Sequence, residues 1–434
     1  METITRDQIQ TQALEAFKRA PNNKGTICLS TGTGKSKIAI DFFKENPKIK
    51  TILITSPRTN LQENWRKELL KWGLDQWNPN IWVYRRTEED DEPFIFNIII
   101  ENIQTAYKWT EKKFDLIVAD EIHTMMTPEY SSLFANCKFT YLMGLTATHD
   151  MTNKNDKEWF YSKICPVIYE YYDSADDGLI NKTRFIIVNH ELSDNDRIVI
   201  RTKKVVFEKG EHNHYEYLTE RIKAGQKMML AQGSDDWFTD AAEWFWNGRG
   251  TPEQKRAAMM YLNSIKARKE FLLNLPSSAR LAEKILGGIL DNIPNSKVLI
   301  FSELTAQADK ITPNTIHSNN NPKDNQILMD QFNEGVIRNL GSCRSLTLGL
   351  NLKGATHAIM ESYIGSATQS KQKKGRLDRL ASDDVAEMWI IRVTGTQSET
   401  WFREMSKGFD LENAEMISSS KILNNEYDYK KNIS

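Results

Sequence analysis

A chain of 434 residues, 40% apolar and 26% charged, has enough material for two or three buried cores and too much apolar content to remain disordered. Its formal net charge of -1 excludes a uniformly basic nucleic-acid binder; any positive surface must be gathered on one face and balanced by blocks such as Glu88-Glu89-Asp90-Asp91-Glu92. Four scattered cysteines, Cys28, Cys137, Cys165 and Cys343, have neither zinc-site nor disulfide-framework spacing and fit a reducing compartment.

The start METITRDQ lacks the apolar core of a secretory signal, and no apolar run approaches the roughly 20 residues of a membrane span. A soluble cytoplasmic protein is therefore expected. After the helix-like segment ITRDQIQTQALEAF, short β-rich runs follow at GTICLS (25–30), KTILITS (50–56), FNIIIEN (96–102), FDLIVAD (114–120) and FTYLMGLTAT (139–148). Amphipathic segments such as KIAIDFFKEN and LQENWRKELLKW lie between them. Nearly continuous apolar strands alternating with such helices predict an α/β domain over 1–190, built on a parallel sheet covered on both faces.

Residues 191–290 have a different texture and predict a mostly helical insertion. Its tryptophans Trp237, Trp244 and Trp246 suit inter-helix packing, with base stacking as the other reading. Glu211-His212-Asn213-His214 reads as a polar turn or a metal-binding cluster, and Asp235-Asp236 as a helix cap. From 291 to 434 the alternation returns with KVLIFSE, NTIHS, NQILMDQFNEG, GSCRSLTLG, ATHAIMES and AEMWIIRVTGT, predicting a second α/β domain with a short polar tail.

Two motifs carry chemistry. Thr31-Gly32-Thr33-Gly34-Lys35-Ser36 stands between an apolar strand and a helical run, the context of a phosphate-binding loop. Its glycines let the backbone wrap an anion, Lys35 reaches the β- and γ-phosphates, and Ser36 suits Mg2+. Position 29 departs from the pattern, with Leu29 where glycine is usual. The second motif, Asp120-Glu121-Ile122-His123, follows FDLIVA directly. At the carboxyl end of a parallel strand, Asp120 is a candidate for Mg2+ and Glu121 for taking a proton from an attacking water.

With these motifs the chain resembles the superfamily 2 helicases and translocases. Thr31 to Ser36 match that family's first motif, Asp120 to His123 are the DExH form of the second, and Thr146-Ala147-Thr148 match the third. Gln372-Lys373-Lys374-Gly375-Arg376-Leu377-Asp378-Arg379 match Q-x-x-G-R-x-x-R. The resemblance implies two RecA-like domains in tandem, closing on ATP and Mg2+. Arg376 and Arg379 would act as fingers on the γ-phosphate, with Lys35 and Glu121 as the other catalytic residues. His123, Thr146, Thr148 and Gln372 would couple hydrolysis to movement. An adenine-reading glutamine is implied near the N-terminus, where Gln8 and Gln10 both fit and the distance to Ala13-Leu14 favours Gln10.

Looser matches imply nucleic-acid contacts at Pro57, Arg58 and Thr59, at Gln104 and Thr105, and at Thr347 and Asn351 within a GLNL-type fifth motif whose Gly349 lies beside nucleotide. Hydroxyl, amide and backbone groups there suit phosphate contact without base reading. GLTAT and GLNL resemble the DNA-acting branch, which includes UvsW-like phage, XPB-like and Swi/Snf-type motors. The expectation is a DNA helicase or translocase acting on branched DNA, a monomer of phage or mobile-element type, with the insertion as a surface for a protein partner. The alternatives are an RNA helicase with the same chemistry, and a nucleic-acid-stimulated ATPase switch or duplex tracker that separates no strands.

Overall fold

The computed structural model describes residues 4–430 apart from 31, 58, 79–80, 85–93, 148–153, 173–181, 202–205, 344–351, 366–369, 371–372, 376 and 378–384. Two compact units are present. One comprises Met1–Arg184, Ser345–Thr356 and Thr368–Ala386; the other comprises Phe185–Arg344, His357–Ala367 and Glu387–Ser434.

The first unit is built on β1 (Lys24–Leu29), β2 (Thr51–Ser56), β3 (Leu74–Asn78), β4 (Ile81–Tyr84), β5 (Phe94–Asn102), β6 (Lys113–Asp120), β7 (Lys138–Thr146) and β8 (Val167–Tyr171). They form one sheet in the order β3-β4-β5-β2-β6-β7-β1-β8. All neighbours from β5 to β8 pair in parallel, while β3, β4 and β5 pair antiparallel at one edge. The β3–β4 hairpin and β8 are short and carry polar residues, so their alternation in the sequence is weak.

The helices of this unit are α1 (Arg6–Lys18), α2 (Lys35–Glu45), α3 (Thr59–Lys71), α4 (Ile103–Ala106), α5 (Pro128–Asn136) and α6 (Lys154–Lys163). Successive strand residues point to opposite faces, so Ile52, Ile54, Leu116 and Val118 meet α1, α2 and α3 through Phe17, Phe43, Trp65 and Leu69. Leu53, Ile117 and Ala119 enter a second core with Ile103, Leu133, Phe134 and Phe160 on the other face. Two covered faces explain why these strands are apolar throughout.

In the second unit the sheet order is β13-β14-β12-β15-β16-β9-β17. Its strands are β9 (Lys182–His190), β12 (Val298–Ser302), β13 (Thr315–Ile316), β14 (Asn339–Cys343), β15 (His357–Met360), β16 (Val385–Val393) and β17 (Glu415–Ser418). Strand β9 lies in a stretch that the sequence alternation assigns to the first α/β segment, yet it pairs with β17 in the second sheet. Alternation reports that a strand exists; which sheet it joins is set by contacts made far along the chain.

Between β9 and β12 run the hairpin β10 (Arg197–Arg201) and β11 (Val206–Gly210), then α7 (Glu211–Ala231), α8 (Trp237–Phe245), α9 (Pro252–Leu273) and α10 (Pro276–Asn292). Helices α7, α8 and α9 share a small core of Ile222, Met229, Ala241, Ala257, Ala258 and Tyr261, with Trp244 packed against it. Trp246 is 65% exposed and Trp237 36% exposed, so only one of the three tryptophans is chiefly a packing residue. Helix α10 lies on the second sheet through Leu281, Ile285 and Ile289.

The Glu211-His212-Asn213-His214 stretch is the first turn of α7 rather than a loop. The fully buried Glu211 accepts the Ser277 amide at 3.1 Å, and Ser277 Oγ also bonds His190 Nε2 at 2.8 Å. Among the described residues no group of three or more His, Cys, Asp or Glu side chains is placed to hold a metal. No described helix is long and apolar enough to cross a membrane. Further helices are α11 (Thr305–Ile311), α12 (Pro322–Glu334), α13 (Gln397–Ser406) and α14 (Ser419–Leu423).

Candidate active site

The site residues of the first unit sit where parallel strands end. Strands β1, β2, β5, β6 and β7 run in one direction, so the loops after Leu29, Ser56, Asn102, Asp120 and Thr146 emerge at one edge of the sheet. Cys28 pairs with Thr146 and Asp120 with Leu145, which sets β7 between the glycine loop and the acidic motif.

Leu29 is the last residue of β1 and is fully buried in the core. Its side chain belongs to the sheet, and its carbonyl accepts a hydrogen bond from Lys35 Nζ at 2.9 Å. A large residue at this position therefore leaves the loop intact. The Ser30 carbonyl accepts from Thr33 Oγ1 at 2.7 Å and from Lys35 Nζ at 3.3 Å. Gly32 and Gly34 have φ of 88° and 87°, in the left-handed region that favours glycine. A Cβ on Gly34 would run into the amide nitrogen of Gln10. That nitrogen donates to the Thr33 carbonyl at 2.8 Å. Gln8 is occupied elsewhere, capping α1 with Thr5. Of the two glutamines, Gln10 is the one that reaches the loop. Thr31 lies outside the described residues.

Asp120 closes β6. Its Oδ2 accepts from the Trp65 indole at 2.9 Å and its Oδ1 from the Glu121 amide at 3.0 Å. Burial raises the pKa of its carboxyl, the neighbouring Glu121 adds to the rise, and the Trp65 bond and Lys35 oppose it. A cation placed here would favour the ionised form. The hydroxyl of Ser36 and the carboxylate of Asp120 are hard oxygen donors of the kind Mg2+ takes, and the Lys35 ammonium suits phosphate.

Glu121 has φ 53° and ψ 47°, a left-handed conformation that costs a non-glycine residue about 1–2 kcal/mol. The turn redirects the chain from β6 into the short helical turn Ile122–Met125. It brings His123 Nδ1 to 3.4 Å from Glu121 Oε2 and 2.9 Å from Thr146 Oγ1. A Cβ on Gly144 would lie 2.6 Å from Ile122 Cδ1 and 2.8 Å from Thr26 Oγ1, so the glycine lets this turn pack closely on β7. Thr148 lies outside the described residues.

The residues expected to contact nucleic acid fall partly together. Gln104 Nε2 donates to the Pro57 carbonyl at 2.8 Å, and the Thr105 amide donates to Asn102 Oδ1 at 2.9 Å. Gln104 and Thr105 are exposed and Pro57 is buried. Thr59 begins α3, and Arg58 lies outside the described residues. So do Thr347, Gly349, Asn351, Gln372, Arg376 and Arg379. In that last segment Lys373, Gly375 and Leu377 are buried.

Two further residues border the site without any motif to mark them. Trp65 and Glu68, on α3, bond Asp120 and Ser36. In the sequence they look like ordinary members of an amphipathic helix, and only the spacing Trp65-x-x-Glu68 could have drawn notice.

Two family models match the chain. The type III restriction enzyme res subunit model covers residues 3–151, and the helicase conserved C-terminal domain covers residues 280–381. A DNA 3'-5' translocase, XPB2 of Sulfurisphaera tokodaii, is 22% identical over 393 residues, spanning 88% of this chain and 80% of the relative. The helicase domain of Pyrococcus furiosus Hef superposes with a TM-score of 0.53 at 16% identity, covering 92% of this chain and 98% of that one. S. cerevisiae Dbp5 bound to RNA and ADP BeF3 superposes with a TM-score of 0.56 at 11% identity, covering 96% and 91%. At such identities the two structural likenesses speak for the tandem RecA-like fold alone.

Proposed function

Because the chain belongs to the superfamily 2 helicases and translocases, we propose that it hydrolyses ATP with Mg2+ and uses the energy to move along or unwind DNA, branched DNA included. The observation that carries this reading is the convergence of Lys35, Ser36, Asp120 and Glu121 at one sheet edge, with His123 bonded to Thr146 beside them.

In this reading Gly32, Thr33, Gly34 and Thr31 wrap the phosphates and Lys35 neutralises their charge. Ser36 and Asp120 hold Mg2+, which supplies charge neutralisation on the phosphates, and Gln10 lies against the base. Glu121 holds a water by its carboxylate and takes its proton. Arg376 and Arg379 stabilise charge on the departing phosphoryl group, and Gly349 lies beside the nucleotide. His123, Thr146, Thr148 and Gln372 relay turnover to Pro57, Arg58, Thr59, Gln104, Thr105, Thr347 and Asn351 on the strand backbone. The unit built on β1–β8 and the unit built on β9, α10 and β12–β17 act as the two motor domains, and the hairpin β10–β11 with α7, α8 and α9 as an accessory element.

DNA is favoured over RNA because the relative XPB2 is a DNA translocase, and because GLTAT and GLNL resemble that branch. Backbone contacts imply weak sequence preference and a steep loss of affinity with salt. The test is ATP turnover with single-stranded, duplex and forked DNA and with RNA, at low and high salt. Stimulation by DNA that falls as salt rises supports the reading. Stimulation by RNA alone would assign the motor to RNA, and indifference to all nucleic acids would remove the motor function.

A further inference from the structure

We infer that helix α3 carries occupancy of the strand-contact loop to the metal site, with Trp65 and Glu68 as positioning residues; this rests on the nucleic-acid reading above. Both residues proposed for Mg2+ are supported by this one helix. The Trp65 indole donates to Asp120 Oδ2 at 2.9 Å, fixing one oxygen while the other accepts the Glu121 amide. The Ser36 hydroxyl donates to Glu68 Oε2 at 3.3 Å, an oxygen also held by the Trp72 indole at 3.0 Å. A hydroxyl whose proton is directed to Glu68 turns its lone pairs away from that carboxylate and leaves them for a cation. Supporting bonds of this kind orient metal ligands, and their loss weakens metal binding by about 10- to 100-fold.

The other end of α3 meets the strand-contact elements. The helix starts at Thr59, directly after the Pro57 loop. Gln62 Nε2 donates to Glu101 Oε1 at 3.2 Å, and that oxygen also takes the Asn102 amide at 2.8 Å. Asn102 in turn caps α4, whose Gln104 bonds the Pro57 carbonyl. From Gln62 to Glu68 the helix rises about 9 Å, and its middle is locked in the core by Trp65 and Leu69. A helix so packed moves as a body, so a shift imposed by a bound strand at its first turn displaces Trp65 and Glu68 together.

The test measures binding of a fluorescent ADP analogue as Mg2+ is titrated, with and without forked DNA, and DNA affinity by anisotropy. Trp65→Phe removes the indole donor and keeps a ring in the core; Glu68→Ala removes the acceptor at a partly exposed site, and Glu68→Gln keeps one. The expected result is a Mg2+ midpoint raised about ten-fold in Trp65→Phe and Glu68→Ala, near wild type in Glu68→Gln. DNA shifts the midpoint in the wild type and not in the first two variants, while DNA affinity stays the same. Wild-type midpoints and DNA shifts in both variants, with DNA still bound, would overturn the inference alone. A wild-type protein that binds no DNA would overturn the nucleic-acid reading and this inference with it.

Discussion

At the scale of the residue, the proposed function divides the chemistry among three groups that can be separated by substitution. Lys35→Ala removes the ammonium proposed to meet the phosphates, so binding of a fluorescent ATP analogue should be lost. Glu121→Gln keeps the shape of the turn and removes the proposed base, so the same analogue should bind while turnover falls by about 100-fold or more. Thr146→Val cuts the bond to His123; nucleotide should still bind, and stimulation of turnover by DNA should fall. A fourth residue tests the second unit. Glu361 is 2% exposed, accepts the Gln307 amide at 3.1 Å, and has its pKa raised by burial. A carboxyl with a raised folded pKa binds its proton more tightly in the folded state. Its stabilising contribution is present below the ordinary glutamate range and is lost as pH rises through the folded value. Thermal melts should therefore show Glu361→Gln gaining on the wild type from pH 4 to pH 7, whereas Glu361→Ala should lose on the order of 2–4 kcal/mol.

At the scale of the element, close approach decides the site. The acidic turn after β6 packs closely on β7 at Gly144, where a side chain would crowd Ile122 and Thr26. Gly144→Ala should cost about 1–3 kcal/mol in denaturant melts and reduce turnover more than nucleotide binding. Much of this was legible in the sequence. The glycine loop and the acidic pair were readable because strand, turn and helix signals surround them within a few residues. Spacing to Ala13-Leu14 already favours Gln10 over Gln8, and the structure gives the physical reason: Thr5 and Gln8 form a capping box while Gln10 faces the loop. The roles of Trp65 and Glu68 were not legible, since their partners lie 55 and 32 residues away and only their spacing on the helix could have drawn notice. Strand β9 shows the same limit at larger scale: its apolar run announces a strand and says nothing of its place beside β17.

At the scale of the whole molecule, the proposed function gives the loop that begins at Leu29 nucleotide binding only, and assigns the coupling of turnover to movement to arginines in a segment more than 300 residues on. Arg376→Ala should retain nucleotide and DNA and lose turnover by several orders of magnitude; near-normal turnover would show that the hydrolytic site is complete without it. The most direct measurement is displacement of a third strand from a DNA triplex, which reports ATP-driven motion whether or not strands separate. The account predicts displacement by the wild type only with ATP and Mg2+, and none by Glu121→Gln although it still binds DNA and nucleotide. Displacement by the wild type without ATP, or by Glu121→Gln at the wild-type rate, would contradict it.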